Sequence, residues 1–202
     1  MKSFHKEVIT DSNTIIISFS GRSHPKTSEI RFEFVNFLDK HFNHITRHFY
    51  ADKNCNSYHN GLEGISKTID ETAEYLKGII SPYKRVIFIG VSQGGYAAIL
   101  FGSLLNISAV IAFIPQTFRG QKDNIDEKYR DLKPYINTIT QYYLYGDISI
   151  KNKHDFHHIS HCERIVEDRI NITIIEKNPL NIPDLVWRTE ELIQKIERII
   201  NL

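Results

Sequence analysis

One stretch constrains this chain more than any other: RVIFIGVSQGGYAAILFGSLL, residues 85–105. Its first part, 85–90, is apolar without alternation, which predicts a strand buried on both faces. Its last part, 94–105, is rich in small residues and predicts a helix packed closely on its neighbours. Between them lies Gly90-Val91-Ser92-Gln93-Gly94-Gly95, of the form G-x-S-x-G. On so tight a turn a serine hydroxyl projects from the end of the sheet. Glycines two residues before and after it let strand and helix approach without a Cβ clash. The N–H of the next residue, Gln93, then faces any negative charge developing on a bound carbonyl oxygen. The competing reading is a phosphate loop or an idle turn. The Walker lysine and the G-x-G-x-x-G spacing are both absent, which disfavours the phosphate loop.

The rest of the chain alternates in the same way. Strands are predicted over 14–20, 45–52, 85–90, 108–115, 140–147 and 170–177, the second nearer an edge. Helices are predicted over 29–42, 64–80, 94–105, 124–134, 155–167 and 185–200, with Trp187 packed on the sheet. Such alternation implies a mainly parallel sheet covered by helices on both faces, with functional loops at the carboxyl ends of the strands. With 202 residues and no linker or repeat, residues 1–202 form a single domain. The loop after the first strand, Ser20-Gly21-Arg22-Ser23, is the candidate for a second oxyanion donor through Gly21 or Arg22.

Composition removes several classes. A net charge of +1 and no basic stripe argue against nucleic acid as a partner. No apolar run approaches a membrane span, and the first residues lack a signal-peptide core, so a cytoplasmic location without a membrane partner is expected. Cys55 and Cys162 are far apart and read as reduced thiols. No cofactor motif is present. His154, His158 and His161 would share a face of a helix over 155–167, but without a carboxylate frame they do not read as a metal site.

Further segments carry a resemblance: FSGR at 19–22, YHNGLEGI at 58–65, GVSQGGYAAILFG at 90–102, AFIPQTF at 112–118, KYRDLKPYI at 128–136 and YLYGD at 143–147. The chain resembles the α/β-hydrolase superfamily, in particular small bacterial α/β-hydrolase-like proteins of polysaccharide-synthesis settings. More distantly it is similar to capsule O-acetyltransferases. The resemblance implies a three-layer α/β-hydrolase-like fold without a large lid. It also implies a serine nucleophile, an acid after the YLYGD strand and a histidine after the final strand. The implied ligand is a small-molecule ester or acyl donor, and the implied acceptor or substrate a carbohydrate.

The acid has two candidates. Asp155 opens a D-x-x-H run, Asp155-Phe156-His157-His158, and Asp147 ends its strand; either also fits a capping or turn role. The histidine departs from the pattern. None follows the last strand, and Asn181 stands where one is expected. An amide has no pKa that would let it act as a base. In one reading a histidine from elsewhere substitutes: His157, His158 and His161 follow the acid region, and His24 lies near the oxyanion loop; in another the nucleophile and oxyanion hole remain with only residual catalysis. The set expected at the site is Ser92, Asp155 and His158, with Asp147 and His161 as alternates and Gln93, Gly21 and Arg22 around the oxyanion. This describes a serine esterase or acyltransferase with an atypical triad. The alternative is an inactive binding or scaffold protein on the same fold.

Overall fold

The structure is a computed structural model that describes residues 4–22, 30–120, 125–167 and 169–202. Among these, seven strands form one sheet in the order β1-β3-β2-β4-β5-β6-β7. They are β1 (His5–Val8), β2 (Thr14–Phe19), β3 (Thr46–Tyr50), β4 (Arg85–Val91), β5 (Ala109–Phe113), β6 (Gln141–Asp147) and β7 (Ile172–Lys177). All neighbours run parallel except β1, which pairs antiparallel with β3.

The central strands show why the sheet takes two helical layers. In β4, Val86 and Phe88 enter one core while Ile87 and Ile89 enter the other. In β2, Ile15, Ile17 and Phe19 oppose Ile16 in the same way. Strict alternation with apolar residues on both sides leaves no face for water. Helices α2 (Ile69–Ile80) and α3 (Gln93–Leu105) cover the first face. The second is covered by α1 (Val35–His41), α5 (Ile182–Arg188) and α6 (Glu191–Ile200). Leu192, Ile196 and Ile199 of α6 lie at the spacing of one helical stripe and are buried. No helix among the described residues is long and apolar enough to cross a membrane. Neither Cys55 nor Cys162 forms a disulfide among the described residues.

Several expectations change. The strand at 45–52 is internal, because the unforeseen β1 occupies the edge beside it. Helix 29–42 shrinks to α1, since Phe34 sits at φ 63°, a left-handed conformation that ends any helix arriving from before it. The closing helix is two pieces: Asn181 caps an earlier start, and extended Thr189 separates α5 from α6. Trp187 is half exposed and meets Phe37 edge-on rather than packing on the sheet. At 124–134 there are single 3-10 turns, Glu127–Tyr129 and Lys133–Tyr135, and the described part of the β5–β6 connection holds no lid. Only α4 (Ser160–Glu163) is helical within 155–167. Asp155 Oδ1 accepts the His157 N–H at 2.8 Å, so a side chain takes the hydrogen bond a helix would need.

Candidate active site

The turn between β4 and α3 has the shape its glycines imply. Ser92 adopts φ 54°, ψ −116°, a strained conformation for a residue with a side chain. Its N–H is held by Phe113 O at 2.9 Å, and its carbonyl accepts from Tyr96 N at 3.0 Å. A Cβ on Gly90 would collide with the Gly94 carbonyl, and one on Gly94 with the Phe19 carbonyl. Both positions therefore admit only glycine. The Gln93 N–H begins α3 and has no hydrogen-bond partner among the described residues.

The Ser92 hydroxyl lies 2.8 Å from His157 Nε2. The imidazole that reaches the serine is thus His157, not the predicted His158. On the far side of the ring, Nδ1 is 4.0 Å from Asp155 Oδ1, an ionic distance longer than a hydrogen bond. Burial pushes the His157 pKa below its ordinary value, and the Asp155 charge partly offsets this. At neutral pH the ring is therefore unprotonated and able to accept a proton.

The other predicted residues build the loop that carries His157. His158 Nδ1 turns to Ser160, accepting its backbone N–H at 3.1 Å. The His158 backbone makes a bridge with Asp147. His161 Nδ1 accepts the Thr117 N–H at 3.2 Å, tying the loop to the PQTF segment after β5. Burial and Arg164 push the His161 pKa down to about 4, which keeps this acceptor uncharged. The alternate acid, Asp147, takes the Ser149 N–H on one oxygen and the Leu180 N–H on the other. That makes it a clamp between the loops after β6 and β7. Asn181 accepts the Asp184 N–H at 3.2 Å and caps α5. His24 and Ser23 lie outside the described residues.

The loop expected to offer a second oxyanion donor is occupied from within the chain. The Gly21 N–H is taken by the Glu33 carboxylate at 3.1 Å, and the Glu33 backbone is stitched to Ser18 and Ser20. Burial raises the Glu33 pKa, with the Gly21 N–H pulling the other way. Arg22 is exposed. Beside the elbow opens a cavity of about 420 Å³, lined among others by Glu33, Phe34, Val91, Ile182, Val186 and Trp187. Sequence reasoning anticipated neither Glu33 nor this cavity, because both depend on how 30–37 folds back over β2.

No protein-family model and no curated protein matches the sequence. Solved structures do match. The capsule O-acetyltransferase of Neisseria meningitidis serogroup A superposes with a TM-score of 0.66 at 16% identity, covering 96% of this chain and 90% of that one. One structure of that protein is a complex with CoA. A lipase-esterase related protein from Clostridium acetobutylicum gives 0.65 at 14% identity, over 96% and 98% of the two chains. This chain has the α/β-hydrolase fold. A fluorophosphonate-binding serine hydrolase, F, from Staphylococcus aureus superposes with a TM-score of 0.58 at 13% identity, over 96% and 86%. On an α/β-hydrolase sheet the elbow of Ser92 occupies the expected place, at the carboxyl end of β4.

Proposed function

We propose that the protein is a serine acyl hydrolase or acyltransferase whose base, His157, comes from the loop after β6. The contact of 2.8 Å between Ser92 Oγ and His157 Nε2 carries this reading. Ser92 Oγ attacks an ester or thioester carbonyl and passes its proton to His157 Nε2. The carbonyl oxygen gains a negative charge, held by the Gln93 N–H at the start of α3. The tetrahedral species then expels its alkoxide or thiolate, which takes the proton back from His157. An acyl-Ser92 ester remains. His157 next deprotonates the incoming hydroxyl, from water in a hydrolase or from a sugar in a transferase; its oxygen bonds to the acyl carbon, and Ser92 Oγ leaves and takes the proton back from His157. Asp155 favours the charged imidazolium through space rather than by a direct hydrogen bond.

The cavity beside Val91 is sized for a small acyl group or one sugar ring, its lining mixing apolar side chains with Arg31, Glu33 and Asn36. The neighbouring O-acetyltransferase, seen with CoA, makes an acyl thioester the donor to test first. Incubation with p-nitrophenyl acetate or acetyl-CoA, followed by intact-mass analysis, tests the chemistry. An acetyl adduct on Ser92 that is absent in Ser92→Ala is expected. Adding oligosaccharide acceptors then separates transfer from hydrolysis. If no adduct forms with either donor, the second reading prevails: a ligand-binding protein that keeps the elbow. The hold of Glu33 on Gly21 N–H favours that alternative, since it occupies a second oxyanion donor.

A further inference from the structure

At the β1 edge, with β3 and β2 between it and the elbow strand, three side chains converge. Glu7 pairs directly with His48 across the antiparallel ladder, and His5 pairs with Tyr50. Alternation along each strand puts all four side chains on one face. His5 Nε2 and His48 Nδ1 stand 3.3 Å apart. Glu7 Oε2 lies 3.7 Å from the first and 3.8 Å from the second. The three ligand-type atoms all lie within 4.8 Å of one another.

We propose that His5, His48 and Glu7 form a binding site for one divalent transition-metal ion, zinc foremost, which staples the short edge strand β1 to β3. The spacing supports it. Tetrahedral zinc with Zn–N bonds of about 2.05 Å sets its nitrogens about 3.3 Å apart. The histidine pair already has that separation. The Glu7 oxygen needs to move in by only a few tenths of an ångström, and its side chain, 53% exposed, is free to do so.

The surroundings suit the same ion. The His48 side chain is 3% exposed, so its ring is held in place by the packing around it. His5 stacks on Tyr50 with ring centres 4.6 Å apart, which fixes its plane. The Tyr50 hydroxyl lies 3.3 Å from His48 Nδ1 and donates to Tyr75 Oη. Solvent on the Glu7 side supplies the fourth ligand. Two neutral imidazoles and one carboxylate leave zinc a net +1, which a water or hydroxide completes. The ligands are N and O rather than thiolate, and imidazole suits zinc, whereas Mg²⁺ and Ca²⁺ prefer all-oxygen sites.

Zinc competition against a chromophoric chelator tests the site, using wild type, His5→Ala, Glu7→Gln and His154→Ala. We expect one equivalent bound by wild type and His154→Ala, and binding weakened at least about tenfold in the other two. At roughly a hundredfold excess over Kd, zinc should raise the wild-type Tm on the order of 5–10 °C, reversibly with EDTA. In Glu7→Gln, where a half-exposed carboxylate is replaced without burial, the fold is kept and the rise at the same zinc concentration should fall to about half or less. Anomalous scattering at the zinc edge should place the ion among the three side chains. No saturable binding of wild type below about 100 μM, or wild-type affinity in His5→Ala and Glu7→Gln, overturns the proposal. Loss of binding in His154→Ala alone would move the zinc to the 154–161 loop and overturn it as well.

Discussion

The loops after β6 and β7 leave adjacent strands on the same side of the sheet, yet they do opposite work. The loop after β6 carries Asp155 and delivers His157 to Ser92. The loop after β7 carries Asn181, whose amide caps α5, and Leu180, whose N–H rests on Asp147. The resemblance to α/β-hydrolases puts the base on the second of these loops. Here the histidine that reaches Ser92 comes from one strand earlier, on a segment bent by its own aspartate. The nucleophile position is fixed by close packing of glycines, whereas the base needs only to reach it. Several loops at that end of the sheet are long enough to do so.

The comparison breaks most sharply at His157. His157→Ala should lower kcat/KM for an activated ester by at least about a thousandfold, while His158→Ala should lose no more than about tenfold. Equal losses would place the base elsewhere. Asp155→Asn should cost about ten- to a hundredfold, less than in a triad whose acid bonds the ring directly, because the ring nitrogen is 4.0 Å away. The same variant sharpens the pH dependence. His157 acts as a base only when neutral and its pKa is lowered, so activity should fall as pH drops through a midpoint below 6.5. Removing the Asp155 charge, which raises that pKa, should move the midpoint lower still. An unchanged midpoint would separate the acid from the histidine.

Glu33→Gln tests the neighbouring oxyanion loop. The native carboxyl binds its proton more tightly than the unfolded chain does, since burial raises its pKa. Ionising it therefore costs stability as pH rises from the ordinary carboxylate range through the raised value, and that cost persists above it. The glutamine variant should have a higher Tm than wild type at pH 8, with the gap closing at pH 4. Its kcat/KM should rise a few-fold, because a negative charge leaves the site where an oxyanion forms. The smallest effect is expected on the other loop. Asn181→Ala should cost about 1 kcal/mol of stability through the lost cap, measured by chemical denaturation, with activity within twofold.

The sheet was legible because its central strands carry apolar residues on both faces, a pattern that residues 14–19 and 85–91 show without ambiguity. Ser92 was legible because Gly90 and Gly94 sit where any Cβ would collide. The histidine was read one position off. The D-x-x-H run from Asp155 pointed to His158, but Asp155 captures the N–H two residues on and turns that segment out of helix. An aspartate two residues before a histidine was the available signal. Edge strand β1 escaped because HKEV is short and polar, and its partner lies some forty residues away. The hold of Glu33 on Gly21 is likewise tertiary, and no local pattern encodes it.

His157 is proposed to activate Ser92. The rate of covalent labelling by a fluorophosphonate probe measures this directly, without a known substrate, in wild type, Ser92→Ala, His157→Ala and His158→Ala. Wild type and His158→Ala should be labelled at similar rates, Ser92→Ala not at all, and His157→Ala at least a hundredfold more slowly. Labelling of His157→Ala at the wild-type rate, or no labelling of wild type at all, would contradict that role.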